Sequence, residues 1–152
     1  MRDPINLTAL SLAARFVGLR EGAGSVHNPQ VVAMLQLVTP SVVDDETPWC
    51  SAFVNYICWL LALPRSSSLA ARSWLAVGRE VPLDQAVQGF HVVVLSRGAG
   101  PQPGPETLDA PGHVGFFAGY DGDGIELLGG NQGNKVSFSA FPKSRILGIR
   151  EL

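Results

Sequence analysis

The stretch Trp49–Leu61 (WCSAFVNYICWLL) constrains the fold more than any other part of this chain. It is apolar nearly all round, so as a helix it must be buried on most of its sides. Thr47-Pro48 ahead of it reads as an N-cap followed by a proline at the helix start, and Pro64 ends it. Such a helix has to be wrapped by the rest of the molecule. With 152 residues the chain can build one core of that kind, so a single domain spanning 1–152 is expected.

The flanking sequence indicates what does the wrapping. Leu10, Ala13, Ala14 and Val17 recur at helical spacing, and Gly18 and Gly22 mark the end of that segment. Asn28-Pro29 starts a second helix, with Val32, Met34 and Leu35 on its buried stripe and Pro40 as its stop. A short helix is expected over Leu69–Val77. The period then changes. Phe90–Leu95, His113–Gly119, Ile125–Leu128, Val136–Phe138 and Ile146–Ile149 read as strands, with a hairpin turn over Tyr120–Gly124. Helices first and meandering strands afterwards imply an α+β fold whose N-terminal helices pack on a C-terminal antiparallel sheet. The Pro/Gly-rich stretch 98–112 is a long connection of the kind that carries function or moves.

Composition narrows the function. Eleven basic and thirteen acidic side chains leave a net charge of -2, which gives no bulk attraction for nucleic acid or an anionic membrane. The longest strongly apolar run, Ile57–Pro64, is far short of the ~20 residues a membrane-spanning helix needs. Asp3, Pro4 and Arg15 break the start of the chain as a signal peptide, so synthesis in the cytoplasm is expected. Cys50 and Cys58 do not make a disulfide framework; on one helix they stand roughly 12 Å apart along the axis, against a limit of about 7 Å between Cα atoms.

Cys50 is the sharpest chemical signal. In the first turn of its helix it meets unpaired N–H groups and the positive end of the helix dipole. Both favour a thiolate, and the same N–H groups could receive an oxyanion. Taken alone, a free cysteine is more often a small core residue, and Cys58, mid-helix among apolar neighbours, is read that way. His113 opens a strand behind Pro111-Gly112 and can face a cleft as a base. His91, inside a strand, reads as a satisfied structural residue, and His27 as a loop residue. The turn Gly129-Gly130-Asn131-Gln132-Gly133-Asn134 offers carboxamides: Asn131 or Gln132 could orient the histidine, and Glu126 is a weaker candidate. The absence of GK[ST] excludes a phosphate loop. Asp44-Asp45-Glu46 has no EF-hand spacing and sits before a helix start, and the Cys and His residues lack zinc-ligand spacing, so neither metal nor cofactor is expected.

Trp49-Cys50-Ser51-Ala52-Phe53-Val54-Asn55, then Gly112-His113-Val114-Gly115-Phe116, then Gly129-Gly130-Asn131-Gln132, in that order, resembles the cysteine peptidoglycan hydrolases of the CHAP and NlpC/P60 type, most of all the small single-domain phage endolysins. The resemblance implies a papain-like fold and hydrolysis of an amide bond in the cell-wall peptide, by an N-acetylmuramoyl-L-alanine amidase or an endopeptidase. It implies Cys50 as nucleophile, His113 as base and Asn131 as the third member, with Gln132 the close competitor. Trp49 and Gln132 would contact substrate, and the loop 98–112 would form a cleft wall with Trp49. The partner would be bacterial peptidoglycan, reached from the cytoplasm after release, by a monomer. A secreted amidase effector, or a relative of the same fold that acts on another small amide or only binds, is the alternative. The chain departs from the family's pattern at His91, where many relatives carry an acidic residue.

Overall fold

In a computed structural model that describes residues 6–152, three α-helices precede a six-stranded antiparallel sheet, the expected α+β order. The helices are α1 (Ala9–Ala14), α2 (Pro29–Val38) and α3 (Cys50–Leu60). The strands are β1 (Arg79–Glu80), β2 (His91–Ser96), β3 (Gly112–Asp121), β4 (Gly124–Gly129), β5 (Ser137–Pro142) and β6 (Ile146–Glu151), in sheet order β1-β6-β2-β3-β4-β5. The two-residue strand β1 carries no sequence signal. Asp3 and Pro4 lie outside the described residues, and among those described no helix is long and apolar enough to cross a membrane.

The helical face of the sheet holds the larger core. Phe53, Val54 and Ile57 of α3 meet Val92, Val94, Val114, Phe116 and Leu128 of the sheet, with α1 and α2 packed outside them. Residues of opposite parity, Val93, Leu95, Phe117, Ile125 and Leu127, form a second core on the other face, covered by Val81, Leu83, Ala86 and Phe141. The alternation along β2 is the period of two that puts successive side chains on opposite faces.

Several boundaries differ from the expected ones. The first helix stops at Ala14, and Val17 is exposed rather than on the buried stripe. The cause is the segment after it: Gly18 N–H donates to Val136 O (3.0 Å), and Val136 N–H to Leu19 O (2.7 Å), which pulls the chain out of helix and alongside the turn before β5. In α2 the buried residues are Val31, Met34 and Leu35, so Val31 takes the place expected of Val32. The 69–77 segment winds as a 3-10 helix, Ala71–Ala76, rather than an α-helix.

Two buried charged groups tie loops to this frame. Arg72 is fully buried and donates to the carbonyls of Pro111 (3.0 Å), Pro103 (3.0 Å), Gly104 (2.7 Å) and Thr107 (3.2 Å). The 98–112 loop is therefore pinned from below just ahead of His113. Asp45 accepts from Gly22 N–H (2.6 Å), Asn28 N–H (2.7 Å) and the His27 ring (2.9 Å). It closes the loop before α2 onto the loop before α3.

Burial opposes the Asp45 charge, but the backbone N–H groups of Asn28 and Gly22 and the His27 ring hold its carboxyl down to about 2. His27 is raised in turn, by its bond to Asp45. A depressed carboxyl stabilises the fold above its ordinary range near 3.8, and that contribution disappears as pH falls toward 2. The shift corresponds to about 2 kcal/mol. The His27 contribution has the opposite sense: it is present below 6.5 and is lost as pH rises through the raised value. Asp45→Asn should therefore lower the melting temperature at pH 5 to 6, with the gap to wild type closing near pH 2. A gap that persists at pH 2 would mean that the carboxylate charge is not what closes these loops.

Candidate active site

Cys50 is the first residue of α3, and Trp49 is its cap, with no side-chain capping bond. Thr47 does not cap the helix. Its N–H and hydroxyl are both directed at Asp44 Oδ1 (3.1 and 3.3 Å). The first helical bond runs from Phe53 N–H to Trp49 O (3.0 Å), so the amides of the preceding turn have no partner within the helix.

The thiol is only 3% exposed. Burial pushes it above its ordinary value; the N–H groups of Val114, Ser51 and Cys50 itself and the charge of Arg97 pull the other way without overcoming it. The expected thiolate is thus corrected to a neutral resting thiol, because desolvation outweighs the helix start. Cys58 is fully buried, and its thiol is pushed up to about 12. That agrees with a packing role.

His113 is the second residue of β3. Val114, the next residue, turns its N–H toward the Cys50 sulfur, which brings the α3 start and the β3 start together. His113 Nε2 lies 2.8 Å from Gln132 Oε1. The other end of that carboxamide donates to Ser137 O (2.6 Å) and Leu127 O (3.3 Å). Both partners are acceptors, so that end is the NH2 group and Oε1 faces the ring. The ring must then donate from Nε2–H, which leaves the Nδ1 lone pair as its basic site. Burial lowers the His113 pKa, the bond to Gln132 opposes this, and Arg97 and Arg145 lower it further. The imidazole is neutral at neutral pH.

Asn131 does not make this bond. It occupies a left-handed turn position (φ 57°), which asparagine tolerates better than most residues, and it lines the rim of the adjoining pocket. Glu126 pairs with Gly119 and Ala140, well along the sheet from His113. Trp49 is fully buried, and its indole N–H donates to Glu21 Oε1 (2.9 Å). It is a core residue and not a wall of the cleft. The 98–112 loop likewise does not line the pocket beside His113; the neighbouring Arg97 does. That pocket holds about 260 Å³ and is bounded by Arg97, His113, Gln132, Ser139, Phe141 and Arg145.

Two glycines let the elements approach. A Cβ on Gly130 would come within 2.7 Å of Phe53 Cβ and 2.8 Å of the Trp49 ring, so only glycine lets this turn lie on the start of α3. A Cβ on Gly129 would meet Gln132 Oε1 at 2.7 Å and His113 Nε2 at 3.4 Å. Glu21 joins the same turn from outside, since its N–H donates to Asn134 O (3.0 Å) while its carboxylate holds Trp49. Behind α3, Asn55 and Ser51 hold the 66–68 segment, with Ser67 N–H on Asn55 Oδ1 (3.0 Å) and the Ser51 hydroxyl on Ser68 O (2.6 Å). Among the described residues no three His, Cys, Asp or Glu side chains gather as metal ligands would.

Comparison with solved structures is informative about the fold. NlpC1 from Trichomonas vaginalis superposes on 94% of this chain with a TM-score of 0.56, at 15% sequence identity. The chain has a distant NlpC/P60-like fold. It spans 42% of the length of that protein. No protein-family model matches the chain, and no curated protein does.

The two thiols should behave differently toward iodoacetamide. Labelling should fall on Cys50 and spare Cys58 in the folded protein. Its rate should still be climbing at pH 9, since the Cys50 thiol lies above that value. A rate that levels off below pH 8 would mean a thiolate held by its surroundings.

Proposed function

We propose that this protein is a cysteine hydrolase of bacterial peptidoglycan, cleaving an amide bond of the cell-wall peptide as an amidase or endopeptidase. One observation carries the reading: Gln132 holds His113 with its Nε2–H occupied, at the point where the Val114 amide turns toward the Cys50 sulfur. That arrangement suits acyl transfer by a nucleophile, a base and an orienting group. The NlpC/P60-like fold is consistent with it. We further propose that the chain meets its substrate at the cell wall, outside the cytoplasm, as a phage endolysin does.

The steps follow from the atoms. His113 Nδ1 takes the Cys50 proton as the sulfur attacks the amide carbonyl. The carbonyl oxygen becomes an oxyanion beside the free N–H groups at the start of α3. As the carbon–nitrogen bond breaks, the proton passes from Nδ1–H to the leaving amine, and a thioester on Cys50 remains. Water, giving its proton to Nδ1, attacks the thioester, releases the carboxylic acid and restores the thiol. Starting from a neutral pair, proton transfer accompanies attack rather than preceding it. Gln132 keeps the ring in the tautomer this requires, so in this reading Gln132 and not Asn131 is the third member.

Digestion of purified peptidoglycan, with mass spectrometry of the fragments, tests the proposal directly. Wild type should release soluble fragments and Cys50→Ala should release none; the fragment masses name the bond. His113→Ala should cost roughly 10²- to 10⁴-fold in kcat. Gln132→Ala should lose more kcat than Asn131→Ala when both are assayed well below their melting temperatures, because losing the bonds to Leu127 O and Ser137 O also costs stability. Full release by well-folded Cys50→Ala, or none by wild type, would overturn the assignment.

The acid limb of kcat/KM should report His113 in the free enzyme. Burial lowers its pKa, so the base stays neutral and competent to below pH 6.5, and activity should fall only under that value. A limb centred above 6.5 would point to another base, or to an imidazolium–thiolate pair.

A further inference from the structure

One short element reaches the neighbours of both chemical residues. The 3-10 turn Ala71–Ala76 carries Trp74, fully buried, whose indole N–H donates to the Ser51 hydroxyl (2.9 Å), next to Cys50. It also carries Arg72, fully buried, which donates from Nε to Pro111 O (3.0 Å), two residues ahead of His113, and from Nη1 to the Pro103, Gly104 and Thr107 carbonyls. The Arg72 stem lies against the strand itself: a Cβ on Gly112 would stand 3.0 Å from Arg72 Cγ and 3.0 Å from Leu95 O. The turn is tied to the sheet in turn, by Arg150 Nε on Leu75 O (3.0 Å). The start of β3 needs such support. Gly112 and His113 pair with Ser96 and Leu95 of β2, but on its other edge β3 has no partner before Phe116. Arg72 is also held in an unfavourable state. Among the described residues no carboxylate pairs with it, and its enclosed Nη2 makes no hydrogen bond to them. A buried charge and a buried donor left so oppose folding, and departures of this kind are expected where function requires them.

We propose that Arg72 is a positioning residue of the hydrolase: through Pro111 and Gly112 it sets where the His113 ring stands, while Trp74 on the same turn sets the start of α3 through Ser51. The proposal rests on the hydrolase reading and deepens it. The basic nitrogen of His113 has to meet the Cys50 proton with little latitude, because a misplacement of about 1 Å can cost about 10²-fold in rate. One turn bonded to both starts keeps their separation constant. Arg72 touches neither substrate nor reacting atoms, and its nitrogens divide the task. Nη1 gathers the loop carbonyls, which the three donors of an ammonium can also do. Nε–H on Pro111 O adjoins the strand, and lysine has no donor at that place on its stem.

Arg72→Lys tests the role, because it keeps the charge and the hold on the loop and loses the bond to Pro111. On solubilised peptidoglycan, well below the melting temperature of the variant, kcat should fall at least about tenfold while KM stays within about twofold. The His113 ring supplies a readout that a role in stability alone does not move. Burial keeps its pKa below 6.5, so in an NMR titration of the Arg72→Lys protein the ring, loosened toward water, should titrate nearer 6.5. A smaller loss of kcat, a loss carried by KM, or an unmoved titration would overturn the role. Should Arg72→Lys not fold, Gly112→Ala disturbs the same seam from the strand side and is read by the same three quantities. Release of fragments by wild type with Arg72→Lys unimpaired removes the role of Arg72 and keeps the hydrolase. No release by wild type removes the hydrolase, and the titration alone then decides whether Arg72 places His113.

Discussion

Everything at the candidate site depends on how one carboxamide is held. The NH2 end of Gln132 is committed to the carbonyls of Leu127 and Ser137, one on each side of the turn between β4 and β5. The Gln132 backbone adds to this, with its N–H on Lys135 O (2.9 Å) and its carbonyl accepting the Ser137 hydroxyl (3.1 Å). The side chain cannot rotate without giving up both of its bonds, so Oε1 is held toward His113. A fixed acceptor selects the Nε2–H tautomer, and the tautomer selects Nδ1 as the basic atom. A bond made for the architecture of a turn thereby decides which nitrogen can do chemistry.

Burial then sets the protonation states. Cys50 and His113 are both nearly enclosed, and desolvation opposes charge on either: the thiol is raised and the imidazole lowered. The free amides at the start of α3 work against this at Cys50 and are outweighed. They act more effectively on a charge that appears during reaction than on the resting thiol, since preorganised donors cost nothing to align at that moment. The same balance explains Cys58, whose thiol, fully enclosed and with only Arg65 in opposition, is pushed to about 12.

Much of this was legible in the sequence, for reasons that can be named. The apolar run after Pro48 reads as a buried helix and the β-branched run after Phe90 as a strand, and the structure has α3 and β2 there. Cys50 and His113 stood out because each stands at or next to the start of an element, where side chains meet free backbone groups. The third residue was not legible. Asn131 and Gln132 are adjacent carboxamides, and what separates them is a positive φ at 131 and two carbonyls within reach of 132. Neither property has a signature in residue type. Trp49 misled for a related reason: an aromatic beside a cysteine suggests a cleft wall, but its partner Glu21 lies far away in the chain and draws the indole inward. Arg72, Arg97 and Arg145 were invisible because a lone arginine in a loop looks the same whether it faces solvent, carbonyls or a pocket.

The placement of the two chemical residues raises a geometric question, since α3 covers one face of the sheet while His113, by alternation from Val114, belongs to the other. They can meet only where the sheet ends. The β3–β4 pairing supplies that end: its register stops at Phe116 opposite Leu128, and the Gly129-Gly130 step leaves β3 to pack on Trp49 and Phe53. The first residues of β3 therefore lose their neighbour on that side. The Val114 N–H turns to the Cys50 sulfur, and the His113 ring turns to the Gln132 carboxamide that comes round the same turn. The two glycines act less as flexible residues than as missing side chains. They let β4 leave early enough to open the end of the sheet, and closely enough to carry the orienting residue back to it.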